Sequence, residues 1–96
     1  MRFEYDGAKN KDNIRKHGFD FAEAWEIFEL PLLAAVDPGY YAERRFIGIG
    51  FLRERVVVVV FSEPNEGTIR IISLRKALKH ERTQFEKFLR NELGTN

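Results

Sequence analysis

The stretch that decides the fold is RRFIGIGFLRERVVVVVFSEPNEGTIRIISL, residues 44–74. It contains three strand-like runs, at 44–52, 55–61 and 68–74, separated by short polar connections. The middle run, RVVVVVF, is apolar on both faces and is therefore predicted to be the central strand. The two connections are short enough for hairpins, so these residues predict an antiparallel sheet.

The third run of this stretch also assigns side chains to faces, because side chains alternate along a strand. Strict alternation places one set on one face of the sheet: Ile69, Ile71 and Ser73. It places the other set on the opposite face: Arg70, Ile72 and Leu74.

Upstream of the sheet, the sequence RFEY at residues 2–5 alternates and predicts a first strand. Asp6 is a favourable N-cap, and a helix over about 7–17 would end at Gly18 in the left-handed conformation. A second helix is predicted after Asp20, with an apolar stripe of four residues at helical spacing. The stripe comprises Phe21, Ala24, Trp25 and Phe28, all expected in the core.

Pro31 is predicted to end the second helix, and residues 32–43 to form a loop with a short extended piece and a turn at 37–39. Residues of about 75–92 carry another apolar stripe and predict a last helix over the sheet. The order is β-α-α-β-β-β-α, an α+β fold with helices on one face of a small antiparallel sheet. The other face would be partly open, with Gly48 and Gly50 as the floor of a ligand site.

Composition sets wider limits on the kind of protein. The 96 residues are 44% hydrophobic and contain no cysteine, which predicts a single domain over residues 1–96 in a reducing cytoplasm. No apolar run predicts a signal peptide or a membrane span. Net charge is only +1, but basic ends flank an acidic middle, residues 20–43, with six acids and no Lys or Arg.

The sequence does not contain the residues that several types of catalysis require. Only two histidines are present, and neither has a carboxylate at ligand-like spacing, so no metal or other cofactor is expected. The remaining reactive groups are cations and acids: Lys16, His17, Glu43, Arg44, Arg45, Arg70, Arg75 and Lys76. Metal-free RNA cleavage needs such groups, namely a base for the ribose 2′-OH, cations for the phosphorane and an acid for the leaving oxygen.

Two interpretations stay open for NIRKHG, residues 13–18. Positive charge in the last turn of a helix offsets the helix dipole without any catalytic purpose. The alternative is that Lys16 and His17 face the other cations and contact phosphate.

Arg70 lies in an apolar strand and requires a carboxylate partner or a polar site. Arg75 and Lys76 are predicted at a helix N-terminus, where backbone N–H groups also bind phosphate.

The segments FEYDGAKNKDNIRKHGFDFAEAWEIF, ERRFIGIG and RIISLRKALKHER together resemble the BrnT family of bacterial type II toxins, in order over about residues 3–85. The resemblance implies a compact relative of the RelE/ParE toxin fold and a ribonuclease that inhibits translation. It also implies a ribbon-helix-helix (BrnA-like) antitoxin that neutralises the toxin, forms a hetero-oligomer with it and represses the operon, so that operator DNA is contacted only through the antitoxin.

Matching positions of the family motifs are Lys9, Asn13, Lys16, His17 and Gly18, then Glu43, Arg45 and Gly50, and finally Arg70, Ser73, Arg75, Ala77 and Glu81. We expect a catalytic set of Lys16, His17, Glu43, Arg70 and Arg75. We expect RNA phosphate contacts from Lys9, Arg45, Ser73 and Lys76. Residues that bind the antitoxin are not assigned.

The chain departs from the family pattern in two places. The sequence Ser62-Glu63-Pro64 stands where members often have Thr-Glu-Arg, and Phe85 stands where a tyrosine is frequent. A catalytically weak or inactive module that only pairs with its DNA-binding antitoxin is therefore the alternative. A third interpretation is a general nucleic-acid-binding domain, which predicts salt-dependent affinity in isolation.

Overall fold

The computed structural model describes residues 1–39 and 41–92, and shows five strands and three helices there. The strands are β1 (Arg2–Tyr5), β2 (Leu32–Val36), β3 (Arg45–Leu52), β4 (Arg55–Asn65) and β5 (Thr68–Lys76). The helices are α1 (Gly7–His17), a 3₁₀ helix (Phe21–Glu29) and α2 (Lys79–Glu92). The α+β class is confirmed, and none of the helices in these residues is long and apolar enough to cross a membrane.

The strands form one sheet in the order β1-β5-β4-β3-β2, with β4 near its centre. The prediction of a wholly antiparallel sheet is wrong, because β1 pairs with β5 in parallel, with Phe3 opposite Ile69. This pairing packs the half-buried Phe3 against the ring of Phe28, 5.4 Å away between centroids. A further strand, β2, forms within the predicted loop 32–43, where a short extended piece is predicted; Tyr40 of this loop lies outside the described residues.

Helices cover both faces of the sheet, not one as predicted. The 3₁₀ helix packs on one face, here called the 3₁₀ face, where Val57, Val59 and Leu74 are fully buried. α2 packs on the opposite face, the α2 face, through Phe85 against Ile49, Val58 and their neighbours.

Gly48 and Gly50 lie on the 3₁₀ face and are buried there. A Cβ atom at Gly48 would lie 2.9 Å from Leu32 Cδ1, and one at Gly50 would lie 3.0 Å from Ile27 Cγ2. The two glycines therefore admit neighbouring protein side chains, and the prediction of an open ligand floor at this position is wrong.

The second helix is a 3₁₀ helix, and its geometry changes which residues are buried. At three residues per turn, positions three apart share one line, so Phe21, Ala24 and Ile27 are buried. Trp25, expected in the core from the α-helical period, is 48% exposed instead. The prediction that Asp20 caps this helix is confirmed, since its carboxylate accepts the Ala22 N–H at 2.9 Å.

A β-bulge in β5 decides where the polar residues of this strand point. Val60 pairs with Ser73 whereas Phe61 pairs with Ile71, so Ile72 is the extra residue. Beyond it the alternation reverses, and Leu74 joins Ile69 and Ile71 in the core of the 3₁₀ face. The predicted faces of Ser73 and Leu74 are therefore wrong.

A second shift between Ser62 and Asn65 places Pro64 in an irregular part of β4. Irregular ladder positions tolerate proline because no ladder hydrogen bond is lost there.

The last helix begins later than predicted. α2 starts at Lys79, and Arg75 and Lys76 are the final residues of β5. The strand continues because Ala77 N–H donates to Val56 O at 3.0 Å, which extends the β4 pairing past Lys76.

The first helix has the boundaries that its capping residues predict. Asp6 Oδ1 accepts the backbone N–H groups of Ala8 and Lys9, and Gly18 ends the helix at φ 77°. We expect Gly18→Ala to lower the free energy of unfolding by about 1 kcal/mol, since a Cβ is unfavourable in this conformation. Gly7→Ala is the matched control, because Gly7 has open space around its Cα and no positive φ. Equal urea midpoints for the two variants would contradict this expectation.

Candidate active site

Polar residues gather on the α2 face at the end that α2 leaves open. The pairing aligns Glu4, Arg70, Ser62 and Arg45 across four adjacent strands. The next aligned row on this face contains Ser73 and the last contains Arg75. Rows two residues apart are separated by about 6.6 Å along a strand, so the backbone positions of Arg70 and Arg75 lie roughly 13 Å apart.

Arg70 lies between two carboxylates. Its Nε donates to Glu4 Oε2 at 3.0 Å, and its NH1 group donates to both Glu43 oxygens at 2.9 and 3.1 Å. Buried Ser62 donates its hydroxyl to Glu43 Oε1 at 2.8 Å. The Ser62 hydrogen bond, followed by Arg70, holds the pKa of Glu43 below its ordinary value, so this carboxylate is ionised at neutral pH.

Arg45 differs from the other site arginines in its partners. Its guanidinium carbon lies 4.0 Å from the centroid of the Tyr41 ring, which is a cation–π contact. Its Nε is buried without a hydrogen-bond partner among the described residues. Arg45 also contributes to the lowered pKa of Glu43. Arg45 is therefore held against the Tyr41 ring, close enough to Glu43 to act on its charge.

Arg75 forms a bidentate pair with Glu81 of α2. NH1 and NH2 donate to the two carboxylate oxygens, each at 2.8 Å, and Leu78 N–H donates to Oε1 at 2.7 Å. Hydrogen bonding to Arg75 is the main reason that the pKa of Glu81 falls to about 2. The pair joins the last residues of β5 to the first turn of α2.

This pair predicts an acid-dependent loss of stability. A carboxylate whose pKa is lowered on folding stabilises the folded state above its ordinary pKa, and that contribution disappears as pH falls towards the folded value. For Glu81 the window runs from about 4.5 down to about 2. Urea unfolding between pH 6 and 2 should show a decline that is smaller in Glu81→Gln. Identical pH profiles for the two proteins would refute this assignment.

Five residues of α1 line a cleft of about 240 Å³ at the edge of β5, among them the predicted site residues Lys9, Lys16 and His17. The cleft also includes Ser73, whose row lies between those of Arg70 and Arg75. Lys16 and His17 are exposed. The helix-ending interpretation of NIRKHG is correct structurally, and the same ending carries these side chains to the sheet beside Ser73.

Lys76 lies apart from the others. It pairs with Val57 of the 3₁₀ face and lines a separate depression with Glu54, Arg55 and Arg82. The predicted site residues Glu43, Arg45, Arg70, Ser73 and Arg75 are thus brought to one face, the α1 residues to its edge, and Lys76 elsewhere.

Sequence reasoning missed Glu4, Ser62 and Tyr41 as members of this site. The sequence predicts for Glu4 only a place in a strand, although its alternation with Phe3 puts it on the face opposite the core. Tyr41 and Ser62 have no sequence signal of their own, since their neighbours come from β3 and β5.

The arrangement offers guanidinium groups for anionic charge, a carboxylate that is ionised at neutral pH, and an exposed imidazole. These are groups for binding phosphate and for moving protons. The fold and this face define a small α+β protein with arginine–carboxylate pairs on an open sheet surface.

Residues 5–81 match the family model described as the ribonuclease toxin BrnT of a type II toxin–antitoxin system. The chain therefore belongs to the BrnT family of ribonuclease toxins. The 1.1 Å crystal structure of the Brucella abortus ribonuclease toxin BrnT superposes with a TM-score of 0.65 and 32% identity, over 82% of this chain and 99% of that one. Among curated proteins, none matches this chain significantly.

Proposed function

We propose that this chain is a metal-independent endoribonuclease that inhibits translation, with residues 1–96 forming one toxin domain related to the RelE/ParE fold. The observation that carries the proposal is the polar row on the α2 face, where Arg70 is oriented by Glu4 and Glu43 beside Arg45. Family membership supports ribonuclease activity in general.

In the proposed reaction, the ionised Glu43 accepts the proton of a ribose 2′-OH, and the 2′-oxygen attacks the adjacent phosphorus. Arg70 stabilises the negative charge that develops on the phosphorane. The bond from phosphorus to the 5′-oxygen breaks, and His17 donates a proton to that oxygen. The products are a 2′,3′-cyclic phosphate and a free 5′-hydroxyl.

Other cations would hold the RNA on either side of the cleaved bond. Arg75 lies two rows from Arg70, so the two arginines would serve different phosphates. Arg45, Lys9, Lys16 and Ser73 are proposed to add further contacts. Lys76 would contact the RNA only if the bound RNA strand extends around the end of the β-sheet.

The test is incubation of the purified protein with single-stranded RNA in EDTA, together with the same RNA carrying 2′-deoxyribose throughout. We expect cleavage of the first substrate only, with a cyclic phosphate product, because the 2′-OH supplies the nucleophile. Cleavage that requires added Mg²⁺ would refute metal independence.

We propose that the antitoxin is a ribbon-helix-helix protein, that the complex is a hetero-oligomer, and that operator DNA is bound through the antitoxin only. The family assignment itself implies a protein antitoxin. We place the complex in the cytoplasm and apart from membranes.

The second candidate function is a catalytically weak module that only binds its antitoxin. It is favoured by the internal pairing of Arg70 and Arg75 with carboxylates and by the lowered pKa of Glu43, which makes it a weak base. No RNA cleavage under any condition, combined with tight co-purification of the antitoxin, would support it.

A further inference from the structure

The outer edge of β2 has backbone groups that no other described strand pairs. Within residues 1–39 and 41–92, β2 is the last strand of the sheet and pairs only with β3. Asp37 N–H donates to Arg45 O at 2.8 Å, which continues the register of Val36 with Phe46. In an antiparallel ladder, hydrogen-bonded positions alternate, so the N–H and C=O groups of Leu32, Ala34 and Val36 point away from the sheet.

The other edges of this sheet are protected. β1 has four residues and includes the charges of Arg2 and Glu4. Where β5 extends beyond β1, α1 covers its edge, and Asn13 bonds both the N–H and the C=O of Leu74. The β2 edge has the sequence LLAAV, without charge or proline. Proteins normally place charged residues or proline on a free edge strand, because an unprotected edge pairs with other strands.

An apolar groove of about 360 Å³ runs along this edge. Leu33 and Ala35 stand in the same rows as Ile49 and Ile47 of the α2 face, and all four line the groove. Its far wall is the first part of α2: His80, Glu81 and Gln84. A strand added to β2 would place every second side chain in this groove.

We propose that the β2 edge binds an extended segment of the antitoxin as a sixth strand, with bulky apolar side chains at alternate positions and a cation near the acidic flanks of β2. The proposal rests on the proposed function, because the partner is the antitoxin of the toxin system. The flanks are acidic at both ends, with Glu29 before β2 and Asp37 after it, and residues 20–43 contain no Lys or Arg. A basic partner is therefore electrostatically complementary.

A second copy of this chain fits the same edge less well. It would bring the same acidic flanks, Glu29 and Asp37, together. An antitoxin segment is not limited in this way. Glu81 lines the groove and also pairs with Arg75, so a bound segment would lie against the candidate active site and block access of RNA to it.

Amide hydrogen exchange on the intact complex tests the proposal without any substitution. The complex is this chain co-expressed with the protein encoded by the adjacent reading frame. We expect the amides of Ala34 and Val36 to exchange at least tenfold more slowly in the complex than in the chain alone. The amides of Leu33 and Ala35, already bonded to β3, serve as internal controls with a smaller change.

Several outcomes would overturn the inference. One is a complex in which Ala34 and Val36 exchange as fast as in the free chain. Another is protection of these amides in the free chain that rises with its concentration, which would indicate self-pairing. A third is protection by 2′-deoxy-substituted RNA and not by the antitoxin. Absence of any complex would contradict the antitoxin pairing in the proposed function as well.

A matched pair of variants separates the backbone from the side chain. Ala34→Pro removes an N–H group that the sheet does not use, whereas Ala34→Thr keeps it. We expect Kd for the antitoxin to rise at least tenfold in Ala34→Pro and less than threefold in Ala34→Thr, with similar thermal unfolding of both. Equal Kd values of the two variants for the antitoxin would refute strand addition. A wild-type chain that does not cleave RNA would refute only the proposed catalytic function.

Discussion

Replacing Arg70 by alanine is expected to slow RNA cleavage by about 100- to 1000-fold, the range found when a preorganised charge-stabilising donor is removed. Arg70 is the one described cation that bonds both Glu4 and Glu43, so its guanidinium is already oriented before RNA binds. The measurement is kcat on a short single-stranded RNA, supported by growth after induced expression. Arg70→Lys should be intermediate, because it keeps the charge and loses the fork.

Arg53→Ala is the matched control for this prediction. Arg53, between β3 and β4, also pairs with two carboxylates, but these belong to Glu23 and Glu26 of the 3₁₀ helix, away from the candidate active site. Arg53 is exposed and Arg70 is half-exposed, and surface ion pairs contribute little to stability, so thermal unfolding of both variants should stay close to that of the wild type. Cleavage by Arg70→Ala within threefold of the wild-type rate, with Arg53→Ala also unaffected, would contradict a catalytic role for Arg70.

The largest expected effect on stability is that of Asn13→Ala, which should lower the free energy of unfolding by about 2–4 kcal/mol. Asn13 is 6% exposed and occupies the edge of β5 where β1 has ended. Its amide accepts the Leu74 N–H at 3.1 Å and donates to Leu74 O and Phe19 O at 2.8 and 3.0 Å. Alanine would leave three buried backbone groups without partners, and each such group is costly.

Urea unfolding monitored by circular dichroism measures this loss, with Lys11→Ala as the control. Lys11 lies on the exposed side of α1, so its replacement should change stability by less than about 0.5 kcal/mol. A loss below about 1 kcal/mol in Asn13→Ala would show that water replaces the amide at this edge.

Much of the local structure could be predicted from short stretches of sequence. Asp6 and Gly18 mark both ends of α1 because capping depends on the few residues around a helix terminus. The run 55–61 is central because a strand apolar on both faces must be covered on both. The need of Arg70 for a carboxylate also followed from its apolar neighbours, although its partners did not.

The elements that sequence misassigned depend on pairing with distant parts of the chain. β2 becomes a strand because β3 offers it an edge, and β1 runs parallel to β5 although the two are far apart in sequence. The turn geometry of residues 21–29 follows from packing on the sheet, which buries Ile27 and leaves Trp25 exposed.

The sequence by itself determined the caps, the central strand, the α+β class and the reactive residue types, because each is set by local conformational preference or by hydrophobic burial. The tertiary structure alone decided that Arg70, Ser73 and Arg75 share a face. Residues separated by an odd number of positions point to opposite sides of a regular strand, and the bulge at Ile72 reverses this relationship. The position of that bulge is fixed by the register between β4 and β5, which no short stretch of sequence contains.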